Sequence, residues 1–339
     1  VQQLNIVLWG LGAMGSGIFK LLSERRGVRI TGAIGRNPAK IGKDLGEVVG
    51  LGQTGIIITD NAHSALAGGD AKLVMHSTGS FFKDIYHELL QAVRAGYNVI
   101  TIAEEMAEPW SADKKMADDL DREAKKRGVS VIGTGINPGF VLDALIIALS
   151  GVCFKINKIE AKRVNDLSPF GHTVMSTQGV GTTPEEFKLG INEGTIVGHI
   201  GFTQSIKLIS KALGWELDEI IEEKEPIITS TVRETAYIRV EPGMVAGCNH
   251  SVYGFIENEA VIILKHPQQI CPDNEGISTG DYIYIDGTPP LNLSIEPEIP
   301  GGIGTIAMAV NIIPILMASS PGLKTMLDLS YPSSWNKLE

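Results

Sequence analysis

The run Leu4-Asn5-Ile6-Val7-Leu8-Trp9-Gly10-Leu11-Gly12-Ala13-Met14-Gly15-Ser16-Gly17 constrains this chain more than any other segment. A short apolar strand leads into Gly-x-Gly-x-x-Gly, and the first turn of a helix follows. Gly10 permits the tight turn, Gly12 lets backbone approach a ligand, and Gly15 lets helix pack closely on strand. Free N–H groups at the helix start then face negative charge. Gly10, Leu11, Gly12, Ala13, Met14 and Gly15 are therefore assigned to the pyrophosphate of a dinucleotide. A purely structural glycine turn is the alternative, and the placement between strand and helix disfavours it.

The first 135 or so residues alternate strand and helix. Strands are expected at Asn5–Trp9, Arg29–Ile34, Leu73–Ser77, Asn98–Ile102 and Ser130–Ile132, all apolar enough for burial on both faces. Ser111–Arg127 reads as a solvated helix with Ser111 as N-cap and Gly128 as its stop. Pro138 suits the first turn of a helix that continues through Asp143–Leu149. Beyond it come strands at Lys158–Val164, Ile227–Val240, Ser251–Ile256, Ala260–Lys265 and Tyr282–Asp286, with a turn at Glu257-Asn258-Glu259 and a helix over Ile196–Leu213. Ile306–Met317 is an apolar helix expected to return to the first domain, with Pro314 kinking or shortening it. The fold class is α/β: an N-terminal doubly wound (Rossmann) parallel sheet and a second, α+β, mainly antiparallel domain. The expected segments are 1–139, 140–303 and 304–339.

Composition narrows the partners. A net charge of −10 argues against nucleic acid and anionic membrane surfaces. Neither an apolar run approaching the ~20 residues of a membrane span nor a signal peptide ahead of the first strand is expected. Cys153, Cys248 and Cys271 are odd in number and lack metal-ligand spacing, so they read as reduced thiols of a cytoplasmic protein, with no metal site.

The second strand of such a fold usually ends in an acid that binds the ribose hydroxyls. Here Gly35 stands in that place, with Arg36 next and Lys40 and Lys43 close behind. A guanidinium can grip a 2′-phosphate, so NADP is expected, with tolerance of NAD. Solvated loop cations are the plainer reading. Three segments should end at the carboxyl edge of the sheet, where ligands collect. Met75–Phe81, with Ser77, Thr78 and Gly79 as its cofactor-binding residues, suits a loop over the nicotinamide ribose, and Asn137 lies in Gly135–Gly139 beside the expected ring position. Glu104 and Glu105 follow the strand Asn98–Ile102, and at a strand end one would enter the cleft while the other stays outside. Arg163 is a candidate carboxylate clamp, His266 an assistant, and His199 an imidazole near a helix start. A strand arginine in an ion pair and packed histidines are the structural alternatives.

Four segments together resemble 2,4-diaminopentanoate dehydrogenases and the related native amine dehydrogenases: Ile6–Gly17, Ile102–Met106, Gly133–Phe140 and Val197–Phe202. The N-terminal half more distantly resembles dihydrodipicolinate reductases. The first resemblance implies NAD(P)-dependent oxidative deamination of the C4 amine of 2,4-diaminopentanoate to 2-amino-4-oxopentanoate and ammonia, as in anaerobic ornithine breakdown, and a homodimer. The family's catalytic glutamate matches Glu104, its polar pocket residues match Arg163, His199 and His266, and its pocket lining matches Phe140, Phe170 and Thr305. Rival readings are an amine dehydrogenase of simple ketones, a dihydrodipicolinate reductase and an idle NADP-binding regulator. The second lacks its His-His pair here, and the third is opposed by retention of Glu104 and the polar residues.

Overall fold

The computed structural model describes residues 3–67 and 72–335, so the outermost residues of the expected first and last segments lie outside it. The chain divides into two compact units, Val1–Phe140 with Gly301–Glu339, and Val141–Pro300. The helix Gly301–Asn311 belongs whole to the first unit, which sets that boundary three residues before the expected one.

Strands are numbered along the chain. In unit one, β1 (Leu4–Trp9), β2 (Val28–Ile34), β3 (Ile58–Thr59), β4 (Leu73–His76), β5 (Asn98–Thr101), β6 (Ser130–Gly133) and, late in the chain, β15 (Gly322–Lys324) form one sheet in the order β15-β6-β5-β4-β1-β2-β3. All its neighbours are parallel. That is the doubly wound order, with the crossover point between β1 and β4. The sequence reading named neither Ile58–Thr59 nor Gly322–Lys324, both too short to show a period. The helix Phe82–Arg94 buries Phe82, Ile85, Tyr86, Leu89, Leu90 and Val93 at three- and four-residue spacing, as a helix laid on a sheet requires. Beside it, the expected helix 111–127 begins later, at Lys114. Asp113 rather than Ser111 caps it, accepting from Met116 N–H, because Ser111 lies in a separate turn, Pro109–Ala112.

The C-terminal apolar segment forms two helices, Gly301–Asn311 and Ile313–Ala318, interrupted ahead of Pro314. By length and composition Gly301–Ala318 meets the measure of a membrane span, with mean hydropathy 1.8 over 18 residues, contrary to expectation. It packs within its own unit: Ile306 lies against Gly17, where an added Cβ would sit 2.3 Å from Cδ1.

Unit two is built on β7 (Lys155–Asp166), β8 (Glu219–Ile228), β11 (Val245–Ile256), β12 (Glu259–Gln269), β13 (Gly280–Thr288) and β14 (Leu291–Ile295), with β9 (Arg233–Glu234) and β10 (Arg239–Val240) paired apart. The six strands lie in the order β14-β13-β7-β12-β11-β8, and only β7 and β12 run parallel. Val252, Leu264, Ala161 and Ile283 line up across four strands and are all buried. The single strand expected over 227–240 is broken at Thr229–Val232, where the Glu275 carboxylate accepts from Ser230 N–H and fully buried Arg233. Pro267 does not end its strand. Its missing N–H falls where the pairing of β12 with β7 lapses between Lys265 and Gln268. Nor does Pro138 begin a helix: Asn137–Pro138 is a cis peptide, and the helix starts at Ala144, capped by buried Asp143, which also accepts from Ser205 Oγ at 2.9 Å.

The first turn follows the expected division of labour. Gly10 has φ +102°, a conformation that favours glycine. An added Cβ at Gly15 would lie 2.0 Å from Gly10 O and 2.7 Å from Ser77 Oγ. Gly15→Ala should therefore force the helix off the strand and cost about 1–3 kcal/mol of stability. Urea unfolding with dinucleotide titration checks this, with weakened binding expected alongside the lower midpoint.

Candidate active site

Within unit one a cleft of about 290 Å³ opens over the carboxyl ends of β1, β2 and β4. Gly10, Leu11, Gly12, Arg36, Ser77 and Thr78 line it as the sequence predicts, joined by Trp9, Ile34, Gly35, Asn37 and Lys40. Gly12 caps the helix Ala13–Ser23 with no side-chain hydrogen bond, and the place its Cβ would take is open space. The first-turn N–H groups of an uncapped helix are anion donors, so the cleft fits a pyrophosphate. Lys40 Nζ donates to Leu11 O at 2.6 Å, which ties the loop after β2 to the glycine turn. Arg36 is 70% exposed and pairs with Glu88. Ala13 and Met14 form the helix start, Gly15 lies behind it, and Gly79 packs against Ile85. Asn137 sits in the turn after β6.

Glu104 and Glu105 do not alternate across a strand end. β5 stops at Thr101, and Glu104–Ala107 is a 3₁₀ turn, so the two side chains diverge by about a third of a revolution. Glu105 is engaged: its carboxylate accepts from Phe82 N–H at 2.7 Å, and its own N–H donates to Ser80 O. Glu104 is half-buried. Burial pushes its carboxyl above the ordinary range, the Glu105 charge adds to that, and a hydrogen bond from the Ser80 side chain opposes it. Ser80, which the sequence places in the polar loop after β4 without a role of its own, thus touches both acids. The turn can lie flat on β6 only because residue 133 is glycine, where a Cβ would meet Met106 backbone at 2.4 Å.

In unit two the sheet register collects the other polar candidates. Asp281 pairs opposite Arg163, and His266 opposite His250; Arg163 and His266 occupy matching positions on β7 and β12. The loop before the helix Phe202–Leu213 adds His199, whose N–H donates to His250 Nδ1 at 2.9 Å. His199 precedes that helix instead of lying in it, because the chain takes left-handed turns at Gly198 and Gly201. The rings of His199 and His266 are 4.8 Å apart, as are those of His199 and Phe202. Burial first, then the neighbouring His250 and Arg163, lower His199 to about 3; burial, His199 and Arg163 lower His266 in the same direction. Both imidazoles are neutral at pH 7. Arg163, 2% exposed, already has a carboxylate, because Nη1 donates to Asp281 and Nη2 to Ile299 O, each at 2.5 Å. Among the described residues His199 Nε2 is buried with no hydrogen-bond partner.

The three residues expected to line a pocket are placed as follows. Thr305 Oγ1 accepts from Ile136 N–H at 3.2 Å, Phe170 packs on the small core of Leu167, Met175 and Val180, and Phe140 closes the first segment of unit one. Among the described residues no group of three or more His, Cys, Asp or Glu side chains is arranged to hold a metal, and the three cysteines are free thiols.

A dinucleotide cleft on a doubly wound sheet, with a half-buried acid beyond it, defines a dehydrogenase. Comparison with known proteins narrows the class. The 2,4-diaminopentanoate dehydrogenase C-terminal domain matches residues 140–338, and the dihydrodipicolinate reductase N-terminus matches residues 4–95. The chain is 42% identical to the 2,4-diaminopentanoate dehydrogenase of Acetoanaerobium sticklandii over 335 residues, 98% of this chain and 95% of that one. It is 26% identical to an amine dehydrogenase of Streptomyces virginiae, covering 96% of both. The structure of the amine dehydrogenase from Mycobacterium smegmatis matches with TM-score 0.86 at 27% identity, covering 97% of each chain. The chain belongs to the 2,4-diaminopentanoate dehydrogenase family, and it is an oxidoreductase acting on amine donors.

Two outcomes follow for unit two. Arg163→Met strands the buried Asp281 carboxylate and should cost about 3–5 kcal/mol, much of it restored by adding Asp281→Asn; urea midpoints of the single and double variants check this. A histidine held neutral in the fold takes up its proton only on unfolding. Its stabilising contribution is therefore complete above its ordinary 6.5 and is lost as pH falls from there toward the folded value of about 3. Thermal midpoints should fall across that window, and fall less in His199→Gln.

Proposed function

We propose that the protein catalyses the NAD(P)-dependent oxidative deamination of the C4 amine of 2,4-diaminopentanoate, and the reverse reductive amination. The observation that carries this reading is the raised carboxyl of Glu104 on the turn after β5, in a chain so close to a 2,4-diaminopentanoate dehydrogenase. Glu104 accepts a proton from the C4 ammonium, because only the neutral amine has a lone pair to drive hydride departure. When bound, the nicotinamide supplies the hydride acceptor, and C4 becomes an iminium carbon. Glu104 releases that first proton to solvent, takes one from the attacking water and passes it to nitrogen. As the C–N bond breaks it takes the remaining hydroxyl proton, so ammonia leaves and a ketone remains. A base whose pKa lies nearer the working pH serves both transfers better than an ordinary carboxylate. Glu105 and Ser80 position the turn that carries Glu104.

The cofactor is NADP with NAD also accepted, a reading supported by Gly35 in place of the ribose-binding acid and by Arg36 and Lys40 in the cleft lining. One observation favours a second reading, an amine dehydrogenase of simple ketones: the charge of Arg163 is already answered by Asp281, which weakens it as a carboxylate clamp. A homodimer is supported by the outer face of the unit-two sheet. There Ile221, Tyr253, Ile263 and Tyr284 line up across the strands about Glu160, with Ile221 and Tyr284 exposed. The free thiols support a cytoplasmic location, and the substrate places the reaction in ornithine breakdown.

Initial rates with 2,4-diaminopentanoate and each nicotinamide cofactor, with ammonia measured in parallel, test the reading. Ammonia should appear in step with reduced nicotinamide. Glu104→Gln should lower turnover by about 10²–10⁴-fold with dinucleotide affinity unchanged. Because the carboxyl is raised, deamination should fall on the acid side at a pH above the ordinary carboxylate range, and that limb should vanish in the variant. Full activity of Glu104→Gln would overturn the assignment, and equal or faster turnover of simple amines would favour the second reading.

A further inference from the structure

Glu88 lies on the helix Phe82–Arg94, outside every motif read from the sequence, and its side chain is 13% exposed. Oε1 pairs with Arg36 Nη2. Oε2 accepts from Thr78 Oγ1 at 2.5 Å and lies 2.8 Å from His76 Nε2. An ionised carboxylate only accepts, so His76 carries its proton on Nε2. His76 Nδ1, 3.0 Å from Thr101 Oγ1, then accepts from that hydroxyl, which itself accepts from Ala103 N–H at 3.2 Å. Every donor in the chain Ala103, Thr101, His76, Glu88 is thereby fixed in direction. Glu88 keeps two hydrogen bonds, from His76 and Thr78, whether or not Arg36 is on it.

This arrangement bears on the cofactor, and it rests on the dinucleotide reading above. Arg36 and Thr78 both line the cleft, whereas Glu88 is outside that lining and pairs with Arg36. We propose that Glu88 is a specificity-determining residue that occupies the Arg36 guanidinium, so that ribose with a free 2′-hydroxyl and ribose with a 2′-phosphate are both admitted. An unpaired guanidinium at that position would select strongly for the phosphate. With Glu88 in place, a 2′-phosphate must draw Arg36 out of an existing ion pair, while a 2′-hydroxyl asks nothing of it. Arg36 can leave because the carboxylate it abandons stays hydrogen-bonded, which avoids the large penalty of a stranded buried charge. Glu88 thus lowers the preference for NADP without abolishing the site for it.

The test is equilibrium binding of NADP⁺ and NAD⁺ to the full chain, by titration calorimetry, for wild type, Glu88→Gln, Arg36→Ala and the double variant. Glu88→Gln should tighten NADP⁺ about fivefold and move NAD⁺ by less than about twofold, the scale of one exposed ion pair. In the Arg36→Ala background the same change should shift NADP⁺ by less than about twofold, since the competitor has nothing left to hold. Should Glu88→Gln fail to fold, Glu88→Asp withdraws the carboxylate by one methylene and should shift the ratio in the same direction. An unchanged NADP⁺ to NAD⁺ ratio in a folded variant that binds both overturns this inference alone, as does an undiminished shift without Arg36. A wild-type protein that binds neither dinucleotide overturns the cofactor reading and this inference together.

Discussion

The close approach of Gly15 to the Gly10 carbonyl and to Ser77 is the constraint on which the rest of unit one depends. It brings the helix Ala13–Ser23 onto the sheet at the point where strand order reverses between β1 and β4. Once that contact is made, the first-turn N–H groups face the cleft, and the loop after β4 closes beside them. Ser77 Oγ donates to Gly10 O at 3.1 Å, so one side chain stitches the two loops together. Everything the cleft offers a ligand, from the bare helix start to Thr78, is held in register by that packing.

Local patterns carried much of the first unit. β1, β2, β4, β5 and β6 lie within a residue or two of their expected limits, because each is an apolar run bounded by glycine or polar residues. The second unit was less legible where tertiary contacts override local preference. The stretch 227–240 looks like one strand until Arg233 is buried against Glu275, Gln269 and the Ile270 carbonyl, groups some forty residues away. The cross-strand row of Asp281, Arg163, His266 and His250 is likewise a product of register, which no single segment encodes.

The candidate site divides the same way. The glycine turn is contiguous in sequence and could be read directly. Distinguishing Glu104 from Glu105 needed Phe82 N–H, 23 residues upstream, because it is the capped helix that claims Glu105. Asn37 and Glu88 have no sequence signature, and Ser80 shows only as one of several small polar residues in its loop. Their roles come from what the fold puts next to them, and a glutamate in the middle of an amphipathic helix otherwise reads as solvated surface.

Buried ionisable groups in both units are arranged so that few of them titrate near neutrality. Burial holds His76 down to about 3, with the Arg36 charge adding, although its Nε2 donates to a carboxylate. Its single ring proton is spent on Glu88 while its other nitrogen accepts from a hydroxyl, so the neutral ring is already satisfied. In unit two, His250 accepts from His199 N–H on Nδ1 and therefore directs Nε2–H toward Glu222, whose carboxyl that bond holds near 2. Arg163 is balanced by Asp281. Glu104 is shifted the other way, toward neutrality, by the same physical cause that silences the histidines: removal from water disfavours whichever form is charged. The imidazoles thus serve as fixed dipoles while one carboxyl remains free to exchange protons. That division of labour suits a reaction in which a single group must both take a proton from an amine and return one to it.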